Sequence, residues 1–372
     1  MIDLMRTIAF YLPQFHPIPE NDKWWGKGFT EWTNVTKAKP LFKGHYQPHL
    51  PADLGFYDLR LSETREAQAA LAREHGIYGF CYYHYWFNGR RVLERPFNEV
   101  LATGKPDFPF CLCWANENWT RRWDGQENEV LLKQIYSRED DIQHIRSLIP
   151  AFKDSRYIKI NGKPLFLIYR IGHLPEPAET IRRWRAEVVA AGLPGLYLAN
   201  IESFPNEHGL VNKLGLNAAV EFAPDWLCLP SPIQPHLCKL PFLRKVIWRI
   251  SWRNNRIMHY TELKEAMRSK PKASYLRYRC VTPMWDNAAR RNKNAFAFIG
   301  STPAIYGQWL RETISNFVSP TTEENFVFIN AWNEWAEGSH LEPCQKWGRQ
   351  YLEATKTALT EMSFSISSKI QP

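Results

Sequence analysis

"TIAFYLPQFHPIPENDKWWGKGFTEW", Thr7–Trp32, is the stretch that decides the fold class. It begins as an apolar, β-rich run, Thr7–Pro13, and then breaks into a long connection of prolines and aromatics. A doubly wound open sheet that binds a nucleotide has a glycine-rich turn after its first strand, because only glycine lets the backbone approach a pyrophosphate. No such turn follows Leu12, and the chain carries no phosphate loop elsewhere. Seven further runs of the same kind follow. They are "YGFCYYHYWF" (Tyr78–Phe87), "FPFCLCWANENW" (Phe108–Trp119), "PLFLIYR" (Pro164–Arg170) and "GLYLANIES" (Gly195–Ser203). Then come "NAAVEFAP" (Asn217–Pro224), "RCVTPMWDN" (Arg279–Asn287) and "NFVFINAWNEW" (Asn325–Trp335). Near-continuous apolarity without polar alternation suits parallel strands covered on both faces. Between the runs lie amphipathic stretches at helical spacing: Glu63–His75, Glu139–Phe152, Ala178–Ala191, Tyr260–Ser269 and Pro303–Phe317. Alternation with a count near eight predicts an α/β protein, a (β/α)8 TIM barrel with long rim loops, as one domain over residues 1–372.

In such a barrel the reaction site lies where the strands end. Polar and aromatic residues accumulate there in run after run. Tyr83, His84 and Trp86 close the second; Trp114, Asn116, Glu117 and Trp119 close the third. Glu221 ends the sixth, Trp285 and Asn287 the seventh, and Trp332, Asn333, Glu334 and Glu337 the eighth. Glu334 and Glu337 stand three apart between Trp332 and the sequence Gly338-Ser339. Cleaving a glycosidic bond takes an acid for the leaving oxygen and a second carboxylate at the sugar. Residues three apart on a regular strand face opposite sides, so both can serve one pocket only if the chain turns after Trp332. Glu117 among tryptophans and asparagines can accept sugar hydroxyls while an indole stacks on the ring. An ion pair from Glu117 to Arg121 or Arg122 is the structural alternative, and a satisfied core histidine is the alternative for His84.

The bulk composition fits this reading. Sixteen tryptophans in 372 residues is a high share, and it suits either indoles that line a cleft or a Trp-rich core. A formal charge of +9 favours anionic surroundings, but there is no basic tail and no RNA-binding motif, so nucleic acid is not expected as a partner. Seven cysteines without ligand spacing read as reduced, packed thiols, with neither metal nor cofactor implied. The first seventeen residues lack a basic start and a small-residue cleavage site, and their apolar part is too short for a bilayer. These features predict a cytoplasmic location.

"YYHYWFNGRRVLERPFNEVL", "CLCWANENWTRRWDG" and "FINAWNEWAEGSHLEP" together resemble glycoside hydrolase family 99, the endo-α-mannosidase and endo-mannanase family, and still more its bacterial relatives of the WbsX family. The similarity covers most of residues 6–360. It implies a (β/α)8 barrel and a retaining, metal-free reaction on an α-linked, mannose-like glycan. In the family's route one glutamate takes the proton of the sugar's own 2-hydroxyl, which attacks the anomeric carbon to give a 1,2-anhydro intermediate. The other glutamate is acid and then base. Carried over, Glu334 is the 2-hydroxyl base and Glu337 the acid/base. Hydrolase members commonly have Trp-His between the two glutamates, where this chain has Trp335 and Ala336. That departure bears on the substrate, since both carboxylates remain.

The WbsX relatives are usually placed in O-antigen and surface-polysaccharide clusters, often as glycosyltransferases. The resemblance therefore implies an oligosaccharide or polysaccharide partner, and a lipid-linked precursor is one form of it. A basic aromatic insertion at about 226–260 includes "HLCKLPFLRKVIWRISWRNNRIMHY". At helical spacing it suits either peripheral contact with an anionic inner membrane or packing on the barrel. Two rival functions stay open. A sugar-nucleotide-dependent glycosyltransferase of lipopolysaccharide biosynthesis would want an Asp-x-Asp metal motif or nucleotide loop, and neither is present. A non-catalytic glycan-binding protein would not need paired carboxylates.

Overall fold

The computed structural model describes residues 5–121, 126–233, 255–291 and 294–368. Eight parallel strands form its centre: β1 (Arg6–Tyr11), β2 (Ile77–Phe87), β3 (Phe110–Trp114), β4 (Lys163–Ile168), β5 (Tyr197–Glu202), β6 (Ala218–Glu221), β7 (Arg277–Val281) and β8 (Phe326–Ile329). Each pairs with its sequence neighbour, and β8 returns to β1 in the register Thr7↔Val327, so the sheet closes into a (β/α)8 barrel. All eight apolar runs are barrel strands. Their buried residues run without a break, as strands sandwiched between a filled interior and a helical ring must.

A helix follows every strand: α1 (Ser62–Glu74), α2 (Arg95–Thr103), α3 (Arg138–Lys153), α4 (Pro177–Ala190), α5 (Leu210–Leu214), α6 (Tyr260–Arg268), α7 (Pro303–Asn316) and α8 (Gln350–Ser368). Five coincide with the amphipathic stretches read from sequence. Helix starts follow local chemistry: Ser137 accepts a hydrogen bond from the Asp140 amide, and Thr302 does the same for Ile305.

The barrel is packed, not hollow. Phe10 of β1 lies 5.6–5.7 Å, ring centre to ring centre, from Tyr83, Phe222 and Phe328, so aromatic rings from four parts of the sheet meet inside it. Residues one step along β2 point the other way. Tyr82 packs on Phe97 of α2, and Phe80 on Phe108 and Trp332. The long connection after β1 folds over the C-terminal rim, where Phe15, Trp32 and Tyr57 form a cluster behind Trp335. Cys81, Cys111, Cys113, Cys280 and Cys344 are buried free thiols.

Among the described residues no helix is long and apolar enough to cross a membrane. Residues 234–254, which hold most of the basic aromatic insertion, lie outside the described residues, and so does the interfacial helix expected there. The strand Arg256–His259, just beyond, runs parallel to Phe296–Ile299 at the rim.

Candidate active site

The turn that brings the two glutamates together follows directly on β8. Asn333 and Glu334 pair antiparallel with His340 and Ser339, and a single 3-10 turn, Trp335–Glu337, joins the two halves. On such a turn side chains three apart eclipse each other, so Glu334 and Glu337 face one side while Trp335 and Ala336 are buried on the other. Gly338 closes the turn with φ +56°, in the left-handed region. A Cβ there would also meet the Asp286 backbone at 3.1–3.2 Å. Both the turn angle and the close approach call for glycine. Trp335 is fixed by stacking on His340 and by donating from Nε1 to Glu342 Oε2 at 2.6 Å.

The glutamates open into a cavity of about 430 Å³ at the C-terminal rim. One wall is aromatic, with Phe204, Trp226, Trp285 and Phe296; Trp226 meets Trp285 and Phe296 edge-on at 5.4 and 5.0 Å. The opposite wall carries Trp25, Glu117, Asn118 and Trp119, with Tyr83, Tyr85 and Tyr169 at the floor. A volume of this size is that of a small-molecule site rather than of a single ion.

Arg290 sits between the carboxylates. Its Nη1 donates to Glu337 Oε1 at 2.6 Å, its Nη2 to Glu334 Oε2 at 2.9 Å, and its Nε to Glu31 Oε2 at 3.3 Å. Trp285 Nε1 donates to the other Glu337 oxygen at 3.3 Å. Burial pushes the Glu334 carboxyl up to about 8; Arg290 pulls it down, but Glu337 and Glu31 add to the rise. Burial also raises Glu31, against the pull of Arg290. Arg290 itself is held firmly charged: burial works against the charge, and the three carboxylates outweigh it.

Of the residues expected at the site, Glu334, Glu337, Glu117, Tyr83, Trp119, Trp285 and Asn287 line this cavity. Glu117 is tied to Arg170 at 2.8 Å; the alternative partners, the Arg121 side chain and Arg122, lie outside the described residues. Arg170 in turn lies over the Phe204 ring at 4.0 Å.

Seven expected contacts are corrected by the structure. His84 and Trp86 alternate with Tyr83 and Tyr85 along β2 and point into the helical ring. There His84 meets His144 at 2.9 Å and Trp86 donates to Asp140 at 2.9 Å, both on α3. Trp114 packs on His144 and on Trp184 of α4. Asn116 is buried and exchanges two hydrogen bonds with the Arg170 backbone, which joins the ends of β3 and β4. Asn333 makes the matching link from the turn that carries Glu334 and Glu337 to the Leu12 backbone beyond β1. Trp332 packs against Phe80 outside the barrel. Glu221 is wholly buried against Lys270 and Arg279, both at 2.8 Å.

Arg290 and Glu31 were not singled out from the sequence. "DNAARRNKN" gives no sign which arginine turns inward, and Glu31 lies 259 residues from its partner Arg290. Among the described residues no group of three or more His, Cys, Asp or Glu side chains is arranged to hold a metal ion.

Residues 7–355 match the family described as glycosyltransferase WbsX. Over 355 residues the chain is 43% identical to the uncharacterized protein WxcX of Xanthomonas campestris pv. campestris, in each of two strains. These matches take in 95% of this chain and 49% of the relative, so the chain spans about half the length of the curated relatives it matches. In three dimensions it is similar to a glycoside hydrolase-like protein, with TM-score 0.57 at 14% identity, covering 96% of this chain and 94% of that one. It is similar also to the GH99 endo-α-mannosidase of Bacteroides thetaiotaomicron in complex with bis-tris-propane, with TM-score 0.56 at 13% identity over 98% of both chains. At these identities the likeness establishes the shared fold.

Proposed function

This chain belongs to the WbsX family, a carbohydrate-active family, and we propose that it cleaves or transfers α-linked, mannose-like residues by a retaining reaction of Glu334 and Glu337. The observation that carries this reading is the placement of both carboxylates on one side of one turn, facing a cavity walled by aromatic rings.

In the first step the Glu334 carboxylate takes the proton of the sugar 2-hydroxyl. The freed oxygen attacks the anomeric carbon, and the bond to the leaving oxygen breaks as Glu337 donates its proton there. The product is a 1,2-anhydro sugar. In the second step Glu337, now a carboxylate, takes a proton from water or an acceptor hydroxyl, which opens the strained ring at the anomeric carbon. Glu334 returns its proton to the 2-oxygen. Two inversions give net retention.

A sugar hydroxyl is a very weak acid, so a base whose proton affinity is raised is better matched to it than an ordinary carboxylate. The raised Glu334 supports its role in this sense, at the cost of a smaller ionised fraction at neutral pH. The tested outcome is turnover of α-mannosides, α-rhamnosides and lipid-linked repeat units, followed by mass spectrometry. Glu337→Gln should cripple natural glycans and spare an aryl glycoside or glycosyl fluoride, whereas Glu334→Gln should impair both. Rapid trapping of a 2-fluoro sugar as an ester on Glu334 would replace this route with direct attack by the carboxylate.

The family's description as a glycosyltransferase favours a second reading, transfer to a glycan acceptor; within this proposal the acceptor belongs to surface-polysaccharide synthesis at the cytoplasmic side of the inner membrane. Adding acceptor glycans separates the two. A larger transfer product means the acceptor takes the place of water, and strict dependence on a sugar nucleotide would displace the two-glutamate route altogether.

A further inference from the structure

Three carboxyl groups converge on one guanidinium at the end of β8, and only two of them belong to the reaction proposed above. Glu31 is completely buried on the short helix Glu31–Lys37, part of the connection over the rim. Its Oε2 accepts from Arg290 Nε at 3.3 Å, while Glu334 and Glu337 accept from Nη2 and Nη1 of the same guanidinium. A planar guanidinium held at three nitrogens by three side chains has little freedom to swing. Arg290 reaches the site from a short turn in which its own amide donates to the Asn287 carbonyl at 3.0 Å. Asn287 is anchored in turn by the Phe296 amide.

We propose that Arg290, held at Nε by Glu31, is the positioning residue of this site: it fixes the two catalytic carboxyl groups relative to each other and sets how tightly Glu334 holds its proton. This inference rests on the two-glutamate reading.

The physical argument is one of charge. Three ionised carboxylates around one guanidinium would leave a net charge of −2 in a largely buried space, which is costly, so the cluster favours taking up a proton. The groups facing Glu334 are Arg290, Glu337 and Glu31, with the phenols of Tyr85 and Tyr83 from β2; Arg291 lines the same cavity. Arg290 pairs with Glu31, Glu334 and Glu337 at 3.3, 2.9 and 2.6 Å. Removing its charge should therefore make Glu334 a tighter proton holder, and removing the negative charge of Glu31 should do the reverse. A merely structural role would give no such pair of opposite shifts.

The test is an infrared titration of carboxyl groups in the full chain, with Glu334→Gln as the subtraction blank so that the Glu334 band is read by itself. In Arg290→Gln the midpoint should move up by a pH unit or more, about a tenfold change in proton affinity. Arg290→Lys, which keeps the charge without the fork, should recover most of that shift. In Glu31→Gln the midpoint should move down. An unchanged midpoint in a folded Arg290→Gln protein, checked by near-ultraviolet circular dichroism, overturns the proposal. If that variant does not fold, Glu31→Gln decides, and a midpoint that stays or rises overturns it. Because this readout needs no turnover, it fails separately from the catalytic reading. Intact shifts in a protein that cleaves no glycoside would remove the reaction and leave the charge-setting role. Turnover with no shift would do the opposite.

Discussion

Two clusters of buried acid sit at the same end of the barrel, and they are balanced in opposite ways. Beside β5 and β6, Glu202, Glu221 and Asp225 are met by Lys270, Arg277 and Arg279, with His208 between Glu202 and Asp225. Beyond β8, Glu31, Glu334 and Glu337 share Arg290. In the first cluster burial pushes Asp225 up, but His208 and Lys270 outweigh it and hold the carboxyl below its usual range. In the second, burial wins and Glu334 rises. A carboxyl group is thus a fixed anion in one place and ready to exchange a proton in the other. The difference lies in whether the paired positive charges outweigh burial and the neighbouring carboxylates.

The largest expected effect breaks the second cluster. A general acid contributes about 10²–10⁴-fold, so Glu337→Gln should lose that much on a poor leaving group in steady-state kinetics and far less on an aryl glycoside. Next comes the first cluster. Lys270→Met strands Glu221 and Asp225 without their shared cation, and breaking a buried pair costs about 3–5 kcal/mol, readable by denaturant unfolding. The pH dependence of any remaining activity should not move, because none of these groups touches the catalytic carboxylates.

A smaller effect tests the imbalance directly. Glu334 binds its proton more tightly folded than unfolded, so its contribution is fully present below its unfolded value and is lost as pH rises towards about 8. Glu334→Gln should remove that loss, raising the melting temperature by about 2 °C or more at pH 8 and changing it little at pH 4. The smallest effect is expected at Glu221. Glu221→Gln should leave KM for any glycan unchanged, since its carboxylate is closed off from the cavity by Lys270 and Arg279. A raised KM there would undo the comparison.

The sequence made the strands and five of the ring helices legible because apolar runs and helical spacing are local signals. It also exposed Glu334 and Glu337, because a turn with a trailing glycine is visible in one short segment. What it could not give was the phase of β2. When Phe80, Tyr82, His84 and Trp86 are as bulky as Cys81, Tyr83 and Tyr85, nothing in the pattern says which set faces the interior. His84 and Trp86 were misplaced for that reason, and Trp114 because β3, buried along its whole length, hides its phase in the same way. Glu221 failed differently, since its three-dimensional partners, Lys270 and Arg279, come from beyond the long insertion. Arg290 and Glu31 were invisible because a cation's partners are set by the meeting of distant loops, not by spacing.

Glu334 and Glu337 are carried by one turn of one segment, whereas Arg290 arrives from the neighbouring strand's loop. Loops carried by different strands move relative to each other more readily than two residues of a single hydrogen-bonded turn. The gap between base and acid therefore stays constant as the protein warms, and the reach of Arg290 to both does not. Heating should detune the site's proton affinity before it alters the path of bond making and breaking.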